Sequence, residues 1–495
     1  MSEEKKYQQE VLEWQLEQIR MREKYANTPA GFATPEKAAR AKHHWEDEME
    51  SLRRSKRRDL QSGYRPTKEF FAGRQAELDA IAAALEQGSG PVVLYGVGGI
   101  GKSALARAFA RKKAHLYDHV LLLHFSGSIQ EMIVNDFELK ISNLHYNENL
   151  YHGRRAYFRE KYKIFLQIAK EMKLLLIVDS CSVRKDNDMQ KLFDLPCDIL
   201  ITSRLDPKLW TEAGCRCTGI YVGPLSTDEE WYAFIEGYRK KPLTANEFTE
   251  WKAYRDKIQG HTLLMQLKIC NPNLDMESKR EFGMDLLTQF SLKKTEKEVL
   301  TYLSFLPQQG IPLNLFYQIT GCSQTAVRHL KEYMLIEQRW DANWQADMIG
   351  MHPVFAEAAR EIFQPGCRNC NHFINGLADY LSDRTEGGCT WVRTYEENQR
   401  LEPYVFAVIR TFSKPEPWLA EAFDEMVTFL WIQCYFKEAE QYALKLYNEV
   451  EKHYGSLHQM TGYIACRTSA VYYNSMDFEK ALLWGEKGYR ILREC

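Results

Sequence analysis

Four short apolar runs punctuate the first half of this chain, at residues 91–95, 119–125, 173–178 and 198–201. Each is too short for a buried helix and reads as a strand covered on both faces. The segments between them carry helical spacing, most clearly residues 104–112, so strand and helix alternate as in an α/β domain with a parallel sheet. From about residue 223 onward the strand runs give way to helical periodicity. Leu300, Tyr302, Leu303 and Phe305 mark one helix there, and Val327, Leu330 and Leu335 mark another. Residues 338–350 have the look of a hairpin, and everything beyond residue 370 reads as helix. Ahead of the α/β block, residues 3–25 carry Leu12, Leu16 and Ile19 at helical spacing among charges, and residues 36–60 form a second charged helical stretch.

The C-terminal third contains an internal repeat. Phe436-Lys437-Glu438-Ala439 aligns with Phe478-Glu479-Lys480-Ala481 at an offset of 42, which also pairs Tyr442 with Trp484 and Tyr447 with Tyr489. This looks like two tetratricopeptide-type helical hairpins, a unit that buries its apolar face only by stacking on neighbours. Two are visible, and no polar capping helix follows the last, which bears Ala481, Leu482, Trp484 and Leu492. The expectation is that the native protein continues into more repeats; a native stop codon directly after Cys495 would sink it.

The chemistry concentrates after the first strand run. Gly96-Val97-Gly98-Gly99-Ile100-Gly101-Lys102-Ser103 fits the G-x-x-x-x-G-K-[ST] phosphate-binding loop between a strand and a helix. Glycines let backbone N–H groups close around a phosphate, the helix N-terminus adds positive potential, Lys102 supplies a charge and Ser103 a Mg²⁺ ligand. A chance match to a glycine-rich turn would not need the strand, the helix and the Lys-Ser pair together. Asp179, closing the third strand run, is the natural carboxylate behind a Mg²⁺ ion. Arg204 follows the fourth run and would bring a guanidinium to the same sheet edge, although a surface arginine is the simpler reading of that residue alone.

Composition narrows the classes. At 495 residues several domains are expected, and Lys plus Arg (65) balances Asp plus Glu (67), so no global field points to nucleic acid or a membrane surface. No apolar run approaches a bilayer span and Met1–Lys6 lacks a signal-peptide core, which suggests a cytoplasmic protein. The 12 cysteines, such as Cys270, Cys434 and Cys466, suit reduced, buried thiols. Cys367, Cys370 and His372, with Cys389, form a weak zinc candidate beside the default of a reduced loop. The basic cluster from Arg53 to Arg58 could meet nucleic acid or an acidic partner, but a solvated helix face explains it as well.

Several pieces, each weak alone, share an order and spacing. They are Phe71-Ala72-Gly73-Arg74, Tyr117-Asp118-His119-Val120, Asp179, Thr202-Ser203-Arg204, Gly223-Pro224-Leu225-Ser226, Gly260-His261-Thr262-Leu263-Leu264 and Met351-His352-Pro353. Together they resemble the NB-ARC branch of the STAND NTPases, signal-transduction ATPases that include plant disease-resistance proteins and apoptosome scaffolds. The resemblance runs from about residue 70 to 362. It implies a multidomain α/β plus α protein: a charged helical segment (1–69), a P-loop nucleotide-binding domain (70–222), a small helical domain (223–290), a winged helix (291–362) and tetratricopeptide-like repeats (363–495).

The same resemblance assigns roles. Ala72 and Arg74 would contact the nucleotide ahead of the first strand, and Gly98, Gly99, Ile100, Gly101, Lys102, Ser103 and Ala104 would grip the phosphates. Ser103 and Asp179 would position Mg²⁺, Arg204 would report the γ-phosphate, Thr262 stands near the adenine and His352 would reach the β-phosphate of ADP. Lys102, Asp179 and Arg204 are the candidate catalytic groups. Three positions depart from the family pattern. Ser180 replaces the acid that orients water, so hydrolysis should be slow unless Asp186, Asp188 or a partner supplies a carboxylate. Thr262 replaces a proline and Pro353 an aspartate. The implied function is an ADP/ATP switch that senses a protein or peptide ligand on its repeats and self-associates when active. A winged-helix transcription regulator and a continuously cycling ATPase are the rivals, although residues 323–333 carry only Arg328 and Lys331 for a DNA groove.

Overall fold

The computed structural model describes residues 59–495, except 65–69, 89, 137, 226, 275–281, 342–343, 383–392 and 394. Leu12, Leu16, Ile19, the 53–58 basic cluster and Cys389 therefore lie outside the described residues.

Five parallel strands form the first sheet: β1 (Val92–Tyr95), β2 (His119–His124), β3 (Leu174–Asp179), β4 (Asp198–Ser203) and β5 (Thr218–Tyr221). Their order is β2-β3-β4-β1-β5. Every residue of β3 is buried, as expected of a central strand with helices on both faces. The registers pair His124 with Asp179 and Tyr95 with Ser203, so all the strands reach one carboxyl edge together. Helices α1 (Gln75–Glu86), α2 (Lys102–Lys113), α3 (Ile129–Val134) and α4 (Arg154–Glu171) accompany this sheet.

Next come α5 (Asp228–Arg239), α6 (Ala245–Lys257) and α7 (Thr262–Cys270). Capping boxes at Thr227/Glu230 and Thr244/Glu247 start the first two, each satisfying two otherwise orphaned backbone donors. Helices α8 (Lys294–Phe305), α9 (Leu313–Thr320) and α10 (Gln324–Glu332) then pack with a small antiparallel sheet, ordered β6-β8-β7. Its strands are β6 (Ile311–Pro312), β7 (Glu337–Asp341) and β8 (Ala346–Gly350), the last two forming the expected hairpin. Helix α11 (Pro353–Phe363) closes this segment on α8, where Arg360 Nε donates to the Ser304 carbonyl at 2.5 Å.

The remainder is helical. α12 (Asn371–Leu381) packs against α9 so closely that a methyl group at Gly376 would fall 1.8 Å from the Ile319 carbonyl oxygen. α13 (Ala420–Ile432), α14 (Phe436–Tyr454), α15 (Gln459–Asn474) and α16 (Phe478–Glu494) stack in succession. The first residues of α14 and α16 stand 42 apart, the offset of the sequence repeat. The two copies differ in environment: Tyr447 is 1% exposed and packs on Trp484 at 4.7 Å, whereas its counterpart Tyr489 is 67% exposed. Cys270 is also exposed, correcting the expectation of a buried thiol, because it sits at the last position of α7. Cys367 and Cys370 are buried ahead of α12, and among the described residues no three His, Cys, Asp or Glu side chains are placed to hold a metal ion.

The helical third meets the first sheet's helices through a buried polar junction. Lys161 on α4 is fully buried and contacts Asp136 at 2.7 Å, and Tyr157 also donates to that carboxylate. Tyr146 stacks on Tyr435 at 4.9 Å, the Arg154 guanidinium lies over the Phe406 and Tyr435 rings, and Glu148 accepts from the Lys437 backbone N–H at 3.0 Å. Removing one member of a buried pair leaves the other charge uncompensated, at a cost of about 3–5 kcal/mol. Asp136→Ala should therefore lower the first thermal unfolding transition by many degrees. A variant that melts within a degree of the parent would show that Lys161 does not depend on this carboxylate.

Candidate functional site

A cavity of about 780 Å³ lies at the carboxyl edge of the sheet. Its walls come from the segment before α1, the phosphate loop, the ends of β2, β3 and β4, helix α7, and the 291–362 segment including His352. In open parallel sheets ligands bind in the crevice outside the carboxyl ends of the strands, and the loop after β1 opens into that crevice.

The loop turns its N–H groups inward only if its carbonyl groups face outward and find donors. Each of five consecutive carbonyls has one. Lys102 Nζ donates to Gly96 at 2.9 Å and Val97 at 2.7 Å, and His261 Nε2 lies 2.8 Å from the Gly98 oxygen. Gly99 accepts from the Thr262 hydroxyl at 2.9 Å and the Leu263 N–H at 3.2 Å. Ile100 accepts from Arg74 Nη2 at 2.9 Å. Gly99 itself has φ +78°, and a side chain there would also meet His261 and Leu263 at 2.8 Å, so both backbone and packing require glycine.

Arg74, expected to contact the nucleotide, lines the cavity and also braces the loop. Its guanidinium is spent on the Ile100 and Gly223 carbonyls and on Glu77, and its own N–H donates to Glu230 at 2.7 Å. Thr262 likewise braces the loop, a bond that a proline could not make. Ala72, Gly98, Gly101, Ser103 and Ala104 line the cavity, with Ala104 in the first turn of α2. Burial, followed by repulsion from Arg204, lowers the Lys102 ammonium to about 8, with Asp179 opposing.

Asp179 Oδ1 accepts from the Ser103 and Thr202 hydroxyls, both at 2.6 Å, and Thr202 Oγ1 in turn accepts the Ser180 N–H at 2.8 Å. Burial alone would raise the Asp179 carboxyl. His124, the two hydroxyls and Arg107 outweigh it and hold the group below the usual carboxylate range. This ionised carboxylate beside a hydroxyl is the all-oxygen donor set that suits Mg²⁺. Ser180 adopts φ +61°, and the two spare acids are engaged elsewhere: Asp188 with Arg155 and Lys191, Asp186 with the backbone N–H groups of Ile129 and Asp188. Neither lines the cavity.

His352 caps α11, its Nδ1 accepting the Val354 N–H at 3.3 Å, which leaves the proton on Nε2. Burial, with repulsion from Arg204 and Lys102, lowers its pKa despite an opposing Glu337. The ring is thus a neutral donor at the wall of the phosphate cavity. Arg204 lies nearby, paired with Glu357 of α11.

Sequence reasoning missed His124, His261 and Glu357. His124 pairs with Glu138 through Nδ1 at 2.9 Å, and its position at a strand end in register with Asp179 was the available signal. His261 could have been recognised as an N-cap from its place before the apolar run 262–267. Glu357 gave no local sign.

A glycine-rich loop joining β1 to α2, a strand-end carboxylate beside its serine and a parallel sheet with this order define a P-loop NTPase domain, a nucleotide-binding fold. More narrowly, residues 74–242 match the family model of the NB-ARC domain. No curated protein matches the chain. Among solved structures, AMPPCP-bound DnaA from Aquifex aeolicus aligns over 69% of this chain and 96% of its own at 12% identity; its TM-score of 0.28 carries no argument. Among the described residues no helix is long and apolar enough to cross a membrane.

His261 makes the domain packing sensitive to acid. Burial lowers its pKa from an ordinary 6.5 to about 4. Above pH 6.5 neither folded nor unfolded protein protonates it; between 6.5 and 4 only the unfolded chain does. Stability is therefore lost as pH falls through that window, by about 2 kcal/mol at pH 5. The stability advantage of the parent over His261→Gln, measured by urea unfolding, should shrink by that amount between pH 7 and pH 5. Parallel pH profiles for the two proteins would contradict it.

Proposed function

We propose that the protein is an ADP/ATP-operated signal-transduction switch rather than a fast-cycling ATPase. The observation that carries this reading is the position of His352: a capping histidine of the 291–362 segment shares one cavity wall with Lys102, Ser103 and Arg204. In this reading 70–222 is the nucleotide domain, 223–290 the helical domain and 291–362 a winged helix that closes over bound ADP. Residues 363–495 are tetratricopeptide-like repeats that take a protein or peptide ligand, with self-association following release.

This chain's residues divide the work by position. The inward N–H groups of Gly98 to Ala104 surround a β-phosphate at the N-terminus of α2, where the helix dipole favours negative charge. Lys102 exchanges the Gly96 and Val97 carbonyls for phosphate oxygens. Ser103 and Asp179 hold Mg²⁺, which supplies charge neutralisation between phosphates. His352 donates its Nε2–H to the β-phosphate, tying the winged helix to the diphosphate. Ser180 offers no carboxylate to orient water, so a bound triphosphate persists. The DNA-regulator reading is disfavoured by Lys331, which lines the nucleotide cavity and bonds Gln338 instead of facing outward.

Two measurements test the reading. Protein purified without added nucleotide should carry near-stoichiometric ADP; His352→Ala should speed its release at least tenfold, and Lys102→Ala should abolish retention. An empty protein that turns over many ATP per second would refute the switch. Second, Ser180→Asp places an acid where the backbone is left-handed, a conformation aspartate tolerates. It should raise ATP hydrolysis by tenfold or more, and an unchanged rate would show that the missing acid is not what limits turnover.

A further inference from the structure

Arg204 and Glu357 meet across the nucleotide cavity from different parts of the fold. Arg204 follows β4, while Glu357 lies on the first turns of α11, four residues after Pro353 and on the same face. Arg204 Nη1 sits 3.0 Å from Glu357 Oε1 and 3.1 Å from Oε2, so one guanidinium nitrogen is shared between both carboxylate oxygens. The pair is pressed against the tip of the phosphate loop. A methyl group at Gly98 would come within 3.1 Å of Val354 Cγ2 and 3.3 Å of Arg204 Nε.

We propose that Glu357 determines the preference of this site for a nucleoside diphosphate over a triphosphate, by competing with the terminal phosphate for Arg204. The inference rests on the switch reading above and names the residue that discriminates its two nucleotide states. A diphosphate engaged by the loop and His352 leaves the Arg204–Glu357 pair intact. A third phosphate extends toward the guanidinium and sets two anions on one cation. Electrostatic relief requires the carboxylate to withdraw. Glu357 is 60% exposed, so its side chain either turns to solvent, losing the ion pair, or stays in repulsion with the terminal phosphate. Either way the triphosphate complex forfeits an interaction that the diphosphate complex keeps.

Both side chains are substantially exposed, 43% for Arg204 and 60% for Glu357, so the pair contributes little to folding and a substitution at Glu357 leaves the core untouched. That exposure also sets the scale: discrimination of about three- to fivefold, the upper part of the range of an exposed ion pair.

The test is displacement of a fluorescent ADP analogue by ADP and by a non-hydrolysable ATP analogue, each with Mg²⁺, on the full chain. Glu357→Gln should lower the ratio of triphosphate to diphosphate Kd by about three- to fivefold, with the ADP Kd held within about twofold. In an Arg204→Met background the same substitution should move the ratio less than about twofold, because the shared cation is gone. An unchanged ratio in Glu357→Gln, or equal shifts for both nucleotides, overturns the inference while leaving the switch reading standing. Failure of the unaltered protein, first stripped of bound nucleotide, to bind the fluorescent analogue overturns the switch reading itself.

Discussion

The site depends on a constraint of backbone polarity. A loop that points several N–H groups at an anion must point its carbonyls the other way, and buried carbonyls need donors. Here the donors come from three places far apart in sequence: Arg74 before the first helix, Lys102 within the loop, and His261 and Thr262 at the start of α7. The phosphate loop is therefore not a local motif resting on a sheet. Its shape is held by a helix nearly 160 residues downstream, and the helical segment around α5 to α7 is part of the binding site's framework before any nucleotide contact is considered.

That arrangement separates groups that build the loop from groups that read its contents. Arg74, His261 and Thr262 hold the loop's carbonyls. Ser103, Asp179, Thr202 and Ser180 form one hydrogen-bonded chain along the ends of β3 and β4. His352, Arg204 and Glu357 lie where the last segment touches the loop. Lys102 belongs to both groups, since its ammonium satisfies two loop carbonyls and also lines the cavity.

How much of this was legible in the sequence follows from locality. Strands β1 to β4 were plain because buried parallel strands are continuous apolar runs, and the loop because its chemistry is contiguous; the edge strand β5, half-buried and exposed in alternation, was missed because it carries no such run. Helix periodicity placed α8, α10 and the β7–β8 hairpin, and the 42-residue offset placed the starts of α14 and α16. The role of Arg74 was not legible, since nothing in its neighbours reveals that its fork meets carbonyls at 100 and 223. Glu357 was invisible for the same reason: an exposed glutamate on an amphipathic helix acquires meaning only from the arginine opposite. Ser180 was legible as a missing acid, but the engagement of Asp186 and Asp188 elsewhere required the fold.

The bracing of the loop by α7 also has a mechanical consequence. His261, Thr262 and Leu263 are bonded to carbonyls one residue apart, so α7 cannot swing relative to the sheet without breaking the shape that accepts phosphate. A substitution at the start of α7 therefore reaches the phosphate loop directly, through bonds that span more than 160 residues of sequence.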